Sequence, residues 1–438
     1  MISGEPLITD CDRRLDFQSE HGSATLLGDR LHGPYRPESL QHHREEVEFD
    51  HDLTASQIVE WTKQAGLLGR GGAAFPLYRK LIAVATQGGD AVVVANGAES
   101  EPDSHKDRTL LLLRPHLVLD GAVLAAKAVG ASTIYLYLHG DDPIVLDALQ
   151  HAVSERRQAH YQEPVLHIVT SPRGYVAGES SAAVSFISGG EAKPVFGQRS
   201  AVGGVDGRPT LVSNVETLAH LALIATVGVK TFRSYGSPAN PGTRLFTVGG
   251  ALPRQGVVLE SLRPQRIGDL LEEAEALSTT APQAILLGGF AGTFIDGKEA
   301  LDFELSEEQA RMTQRSLGCG FIGVVPHDAC GLYVTARLAT YLARETAGQC
   351  GPCVHGLAGV ASRLWDLVSF RSGRRQIRSF ERAFTLIEGR GACSHPDAAV
   401  TMVRSALLTF ADEVEQHLHG RCRASELRAV FSVPEIRP

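Results

Sequence analysis

A chain of 438 residues, 43% of them hydrophobic, is long enough for about three domains and apolar enough to bury a core in each. Its net charge of −8 and pI near 6.1 argue against a nucleic-acid partner, which needs clustered positive charge to neutralise phosphate. No uninterrupted apolar run approaches the roughly 18 residues of a membrane helix. The best candidate, Leu218 to Val229, is short and carries His220. The start, MISGEPLITDCDRRLD, lacks a basic region followed by an apolar stretch, so the expectation is a cytoplasmic protein without direct membrane insertion. Seven cysteines in that setting read as reduced thiols or metal ligands rather than disulfides.

Residues 1–50 are polar, with no sustained apolar period, and are expected to form an extended or partly disordered arm. The stretch Gly66 to Lys80, GLLGRGGAAFPLYRK, is too rich in glycine and alanine for a stable helix or strand. A backbone stripped of Cβ atoms can approach a flat or anionic ligand closely and point N–H groups at phosphate. A helix is predicted from about Leu77, and Arg79 and Lys80 in its first turn oppose the helix dipole unless an anion sits there. AVVVAN from Ala91 and TIYLYL from Thr133 read as buried strands, as does Val165–Thr170. Leu117–Val129 and Asp141–Arg157 read as helices. Alternating strands and helices give an α/β core with a mostly parallel sheet, whose ligands bind beyond the carboxyl ends of the strands. Three further polar corners fall there or at helix starts: Asn96–Asp107 with Glu99 and Glu101, the RGYVAGESS loop with Tyr175 and Glu179 around Gly178, and Ser213, Asn214 and Thr217 ahead of a helix. Each residue taken singly reads equally well as a cap or a solvated loop charge.

From about residue 240 short strand-like runs (RLFTVGG, GVVLE, AILLGG, GFIGVV) surround one short helix, Ile267–Leu277, a small α+β module reaching about Pro326. Beyond Gly331 four helices, Leu332–Glu345, Val354–Phe370, Gln376–Glu388 and Asp397–His419, suggest a bundle. Cys350 and Cys353 flank Gly-Pro at the first helix junction, and Cys393 opens the last helix. That set suits zinc or an iron–sulfur cluster, with a thioredoxin-like dithiol as the competing reading. Cys11, Cys319, Cys330 and Cys422 read as buried or incidental thiols. Arg363, Arg371, Arg374, Arg375, Arg378 and Arg382 concentrate positive charge here, either as a solvated helix face or as a docking patch for an acidic partner.

These motifs, in this order, resemble the NADH-binding flavoprotein subunit of respiratory complex I, NuoF in bacteria, and the related diaphorase subunits of NAD-reducing hydrogenases and formate dehydrogenases. GRGGAAFP is similar to the family's GRGGAGFP, ANGAESEP…KDR to CNADEGEP…KDR, YVAGESS to YICGEET, SNVETLA to NNVETLA, and GQCGPC to the end of ESCGQCTPC. The resemblance spans roughly Gly66 to Asp412. It implies a Rossmann-like FMN- and NAD-binding domain at 51–240, a ubiquitin-like SLBB domain at 241–326 and a four-helix iron–sulfur domain at 327–438, after the 1–50 arm. It places Gly69, Gly71, Gly72 and Lys80 around FMN and its phosphate, and Asn96, Tyr175, Gly178, Ser213, Asn214 and Thr217 around the rest of the flavin. Phe75, Lys193 and Phe196 hold the nicotinamide nucleotide, and Arg70, Glu99, Glu101, Glu179 and Ser180 complete the implied cofactor-binding set. The implied chemistry is hydride transfer from NADH or NADPH to FMN and single-electron delivery to an iron–sulfur centre, then to a ferredoxin-like or thioredoxin-like 2Fe-2S partner, with no protein acid or base as catalyst.

Departures mark the chain as divergent. The family's Asn-Ala-Asp-Glu is Asn96, Gly97, Ala98, Glu99, its Gly-Glu-Glu-Thr is Gly178, Glu179, Ser180, Ser181, and its first cluster cysteine is Ala347. Cys350, Cys353 and Cys393 remain to bind a 4Fe-4S or 3Fe-4S cluster, with His355 and His395 near enough in sequence to supply a fourth ligand. Two other readings stay open: a subunit that keeps the fold but no longer oxidises nicotinamide, and a thiol oxidoreductase.

Overall fold

The run AVVVA from Ala91 to Ala95 can be apolar at every position only if both its faces are covered, and that is how it folds. A computed structural model describes residues 25–27, 37–47, 53–253, 256–276 and 281–433. In it Ala91–Asn96 (β1) lies inside a four-stranded parallel sheet with Ala131–His139 (β2), Val165–Ser171 (β3) and Thr210–Asn214 (β4), in the order β3-β2-β1-β4. Val93 and Ala95 face one apolar core, while Val92 and Val94 face a second that includes Ala183, Val184 and Tyr137. β4 leaves no strand signal in the sequence, because its five residues TLVSN are too short for a period to register.

Between the strands run helices Pro115–Val129, whose expected start lies two residues later, and Pro143–Gln158, capped by the Asp142 carboxylate on the Val145 N–H (3.2 Å). Pro115–Val129 packs against Val215–Phe232 so closely that a Cβ on Gly121 would fall 1.8 Å from the Leu218 carbonyl oxygen. Val215–Phe232 is long and apolar enough by composition to cross a membrane. It is broken at Gly228, and its residues from Val215 to Ile224 are buried against its neighbours.

A second, mixed sheet comprises Arg244–Gly250 (β5), Val257–Ser261 (β6), Ala284–Leu287 (β7), Thr293–Asp296 (β8) and Phe321–Val325 (β9), in the order β6-β5-β9-β7-β8. Where one helix is expected there are three short ones, Ile267–Glu273, Gly297–Leu301 and Glu307–Met312. The C-terminal helices are Gly331–Arg344, Ala358–Val368 preceded by a π-helical turn at Pro352–Leu357, Arg374–Ile387, and His395–Thr409. The expected last helix is interrupted at Phe410, after which Ala411–Leu418 follows as a separate segment.

The N-terminal stretch is more ordered than an arm where it is described. Leu26 and Leu27 are fully buried and donate their N–H groups to the Glu260 carboxylate at 2.7 and 2.8 Å. Leu40–Glu46 is a helix capped by Ser39, and its buried His43 meets Asp120 at 2.6 Å. Glu38 pairs with Arg114 at 3.1 Å. The polar composition that suggests disorder supplies buried ion-pair partners instead. Cys11 and the rest of residues 1–50 lie outside the described residues.

Candidate functional site

The glycine stretch closes as a loop between the Ala55–Ala65 helix and Leu77–Ala85, pinned by Leu77 N–H to Leu67 C=O (3.0 Å) and Gly69 N–H to Phe75 C=O (2.9 Å). Thr217 Oγ1 accepts the Arg70 N–H at 2.8 Å, which ties the loop to the first turn of Val215–Phe232. The Arg70 side chain, only 1% exposed, is engaged with Asn240 and with the Pro241 carbonyl (2.8 Å), so it clamps the loop to the following segment. A Cβ on Gly71 would sit 3.2 Å from Asn214 Cβ, and Gly72 adopts φ +109° opposite Gly318. Ala74 stands at φ 48° where the family motif has glycine. An L-residue there carries strain of about 1 kcal/mol. Ala74→Gly is therefore expected to raise unfolding stability by up to about 1 kcal/mol in a urea titration; a loss would show that the residue is not strained.

Lys80 is mostly buried, donates to the Val212 carbonyl at 3.1 Å, and has no carboxylate partner among the described residues. Burial lowers its pKa. An ammonium so placed, mostly buried and without a carboxylate, fits a phosphate such as that of FMN.

The other three corners converge on this loop. Asn96 and Asn214 are register partners at the carboxyl ends of β1 and β4. Asn96 donates to the Gly178 carbonyl at 2.8 Å. Asn214 caps its helix on the Glu216 N–H and donates to Asp107 at 2.7 Å. Gly178 is required where it stands, since a Cβ would be 2.5 Å from Ser100 Oγ and 2.7 Å from the Ala98 carbonyl. Ser213 is buried within β4. Glu99 is engaged with Ser104 Oγ (2.5 Å) and the Arg108 N–H (3.1 Å), and Glu179 caps Ser180–Ile187 through the Ser181 and Ala182 N–H groups. Arg70, Glu99 and Glu179 thus already have protein partners. Phe75 and Phe196 are 44% and 78% exposed, and Lys193 pairs at the surface with Glu191 (3.0 Å). The two exposed rings stand in separate segments, one in the glycine loop and one beyond the Ser180–Ile187 helix.

A network not singled out from the sequence underlies the site. Lys106 donates to Asp107 (2.6 Å) and Glu216 (2.8 Å), all buried, and Glu216 also accepts the Leu245 N–H (3.0 Å). Burial opposes the Lys106 charge, and the two carboxylates more than offset it, raising its pKa. The adjacent Lys-Asp of the KDR motif is the signal that could have found it.

Glu101 joins three parts of the chain. Its Oε2 accepts the Phe290 N–H from the turn after β7 (2.8 Å) and the Tyr175 hydroxyl (3.2 Å), while the buried Oε1 has no partner. Desolvation pushes its pKa up to about 8. Because that lies above its ordinary value of 4.5, the folded chain holds the extra proton between the two values. Stability contributed by the neutral form is therefore present at acid pH and lost as pH rises through that window, by a few kcal/mol at about 1.4 per pKa unit. Glu101→Gln should flatten the fall in stability between pH 5 and pH 8; identical slopes in the two proteins would contradict it.

Tyr175 carries the site toward the cysteines. Its N–H donates to Glu345 (3.1 Å), and its ring lies 5.9 Å from Tyr341 and 5.5 Å from His395. Cys350, Cys353 and Cys393 are brought together around the π-helical turn. Burial and the neighbouring Cys350 push the Cys353 thiol up to about 12. Cys350, against a burial penalty, is lowered by the Ala392 and Cys353 N–H groups and by the Cys353 thiol. Burial raises Cys393, as do the charges of Glu179 and Cys350. Three mutually interacting thiols at a helix junction fit an iron–sulfur cluster. Ala347 offers no ligand. His395 is buried with Nε2 on the Leu342 carbonyl (2.8 Å), and His355 is exposed.

Residues 62–223 match the family model described as the Nuo51 FMN-binding domain, and residues 333–417 the NADH-ubiquinone oxidoreductase-F iron-sulfur binding region. The second F subunit of NADH-quinone oxidoreductase in Rhizobium meliloti (strain 1021) is 28% identical over 386 residues, covering 84% of this chain and 90% of that protein. The corresponding F subunit of Streptomyces coelicolor is 28% identical over 383 residues, 84% of each. An NAD+-reducing [NiFe]-hydrogenase, solved in the H2-reduced state, superposes with TM-score 0.79 at 27% identity, over 87% of this chain and 67% of that one. With both family regions matched in order, on the same glycine-loop and cysteine motifs, the chain belongs to the family of NADH-binding flavoprotein subunits of respiratory complex I and their diaphorase relatives.

Proposed function

We propose that this chain oxidises NADH or NADPH at a bound FMN and hands electrons singly to an iron–sulfur centre at Cys350, Cys353 and Cys393, for a 2Fe-2S partner subunit. FMN, when bound, supplies the two-electron to one-electron conversion. The protein's part is binding and orientation: Gly69, Gly71 and Gly72 admit the ligand to the backbone, Lys80 neutralises phosphate, and Asn96 and Asn214 present amides at the strand ends. Phe75, Phe196 and Lys193 offer stacking and charge to the nucleotide. The observation that carries the reading is the Gly174–Glu179 loop, which meets the strand end at Asn96 and the loop after it at Glu101, and sets the Tyr175 ring against His395, two residues from Cys393. Domain limits at about 240 and 326 follow the change from the first sheet to the second and then to helices. Arg375, Arg378 and Arg382 line one exposed face of Arg374–Ile387 and would receive an acidic partner, whereas Arg371 and Arg374 are paired with Asp366 and Glu415. NADH-dependent reduction of a one-electron acceptor by purified, FMN-loaded chain tests the activity. A loaded chain that reduces none would leave the fold-retaining, inactive reading.

Ser180 sets nucleotide choice in this reading, because the family's carboxylate there would repel a 2′-phosphate. It begins the Ser180–Ile187 helix, where an added carboxylate is compatible with the dipole. Ser180→Glu should shift the ratio of kcat/KM values toward NADH by about tenfold, roughly 1 to 2 kcal/mol. An unchanged ratio would remove Ser180 from specificity.

A further inference from the structure

Outside the proposed redox site, two of the thiols read from sequence as incidental, Cys330 and Cys422, form a second cluster with His417. Cys330 caps the Gly331–Arg344 helix and accepts the Tyr333 N–H at 3.4 Å. His417 lies in the last turn of Ala411–Leu418, and Cys422 follows that helix. The sulfur, nitrogen and sulfur atoms of Cys330, His417 and Cys422 all lie within 4.8 Å of one another. Cys330 and His417 are each 1% exposed. His417 Nδ1 faces the Leu367 carbonyl at 3.2 Å, which makes Nδ1 the N–H donor and leaves Nε2 as a lone pair aimed at Cys330 Sγ, 3.5 Å away. A carbonyl that orients an imidazole for metal binding is the usual outer support of a histidine ligand.

We propose that Cys330, His417 and Cys422 bind a zinc ion that fastens the C-terminal tail to the helical region. Two thiolates and one imidazole select zinc over hard cations. The fourth position falls to water on the half-buried Cys422 side, because Glu413 is engaged with the Gly331 and Leu332 N–H groups (2.8 and 3.4 Å) and with Gln283. Binding replaces two S–H bonds with two S–Zn bonds and releases two protons, with no change of oxidation state. A Cys330–Cys422 disulfide is the rival product of the same thiols, and it would strip His417 Nε2 of its buried partner. Beyond Cys422 the tail buries Val430, Phe431 and Val433, with Phe431 against Phe290 and Phe321 (5.6 and 6.0 Å). The ion therefore sits where the tail leaves the last helix.

The test is zinc and iron content of the full-length protein, expressed with zinc and desalted under reducing, anaerobic conditions. About one zinc per chain is expected, lost in Cys422→Ser and in His417→Gln but kept in Cys393→Ser, which loses iron instead. Wild-type protein stripped by chelator should take up about one Co2+ with thiolate-to-cobalt absorption, a readout that needs no variant to fold. Failure of the stripped wild type to bind cobalt through thiolate, zinc content unchanged in both variants, or a Cys330–Cys422 disulfide in the anaerobic protein would overturn the proposal.

Discussion

Gly71→Val should abolish FMN retention while leaving the chain folded. The glycine is solvent-facing in its loop, so no core is opened, but its first added carbon already meets Asn214 Cβ at 3.2 Å. Two further methyl groups must press on a side chain held by Asp107 and by the Glu216 N–H, or turn into the space the ligand needs. Flavin released from purified protein should fall from about one per chain to near zero. Lys80→Ala acts differently: it removes a mostly buried ammonium whose partner among the described residues is the Val212 carbonyl. Loss of a charge-assisted contact weakens FMN binding by about 1.5 to 3 kcal/mol, roughly ten- to a hundredfold in Kd by fluorescence titration. Wild-type affinity in both variants would detach the glycine loop from the flavin.

The second large effect concerns iron. Cys353→Ser should remove the cluster, because among the described residues Cys350, Cys353 and Cys393 are the thiols placed at the proposed site, and Cys353, 4% exposed, is the most buried of them. Iron and sulfide per chain should fall to near zero while FMN content and flavin reduction by NADH persist. The separation follows from the layout, since Cys353 lies on the π-helical turn at Pro352–Leu357, whereas the glycine loop is tied to Thr217, Asn240 and Pro241. Conversely, Ala347→Cys restores the ligand that the family has and should slow loss of the visible cluster absorption in air. Iron retained by Cys353→Ser, or a cluster no more durable in Ala347→Cys than in the wild type, would show that the metal is held elsewhere.

Much of this was readable from residues, and the omissions have physical causes. AVVVAN and the GRGGAAFP loop announce themselves, one by apolar continuity and the other by missing side chains. The convergence of Asn96, Gly178 and Asn214 rested on the strand-end rule for parallel sheets. What composition concealed was polar and buried. Glu38 and His43 look like part of a solvated arm until Arg114 and Asp120 are in place, and Lys106 looks like any loop lysine until Glu216 comes to it from 110 residues away. Single residues also changed meaning. Arg70, read among the cofactor contacts, also has its side chain buried as a clamp on Asn240 and Pro241, and Cys330 and Cys422 are separated in sequence by the whole helical region, so no local spacing reveals their meeting.

The most direct measurement is an anaerobic titration of FMN-loaded wild-type protein with NADH and then NADPH, followed by visible absorption. The flavin bands are expected to bleach with about one equivalent of nicotinamide nucleotide per FMN, with further uptake into the iron–sulfur absorption beneath them. Bound flavin that dithionite bleaches and neither nucleotide does would contradict it, leaving a chain that keeps the fold of its family without the reaction.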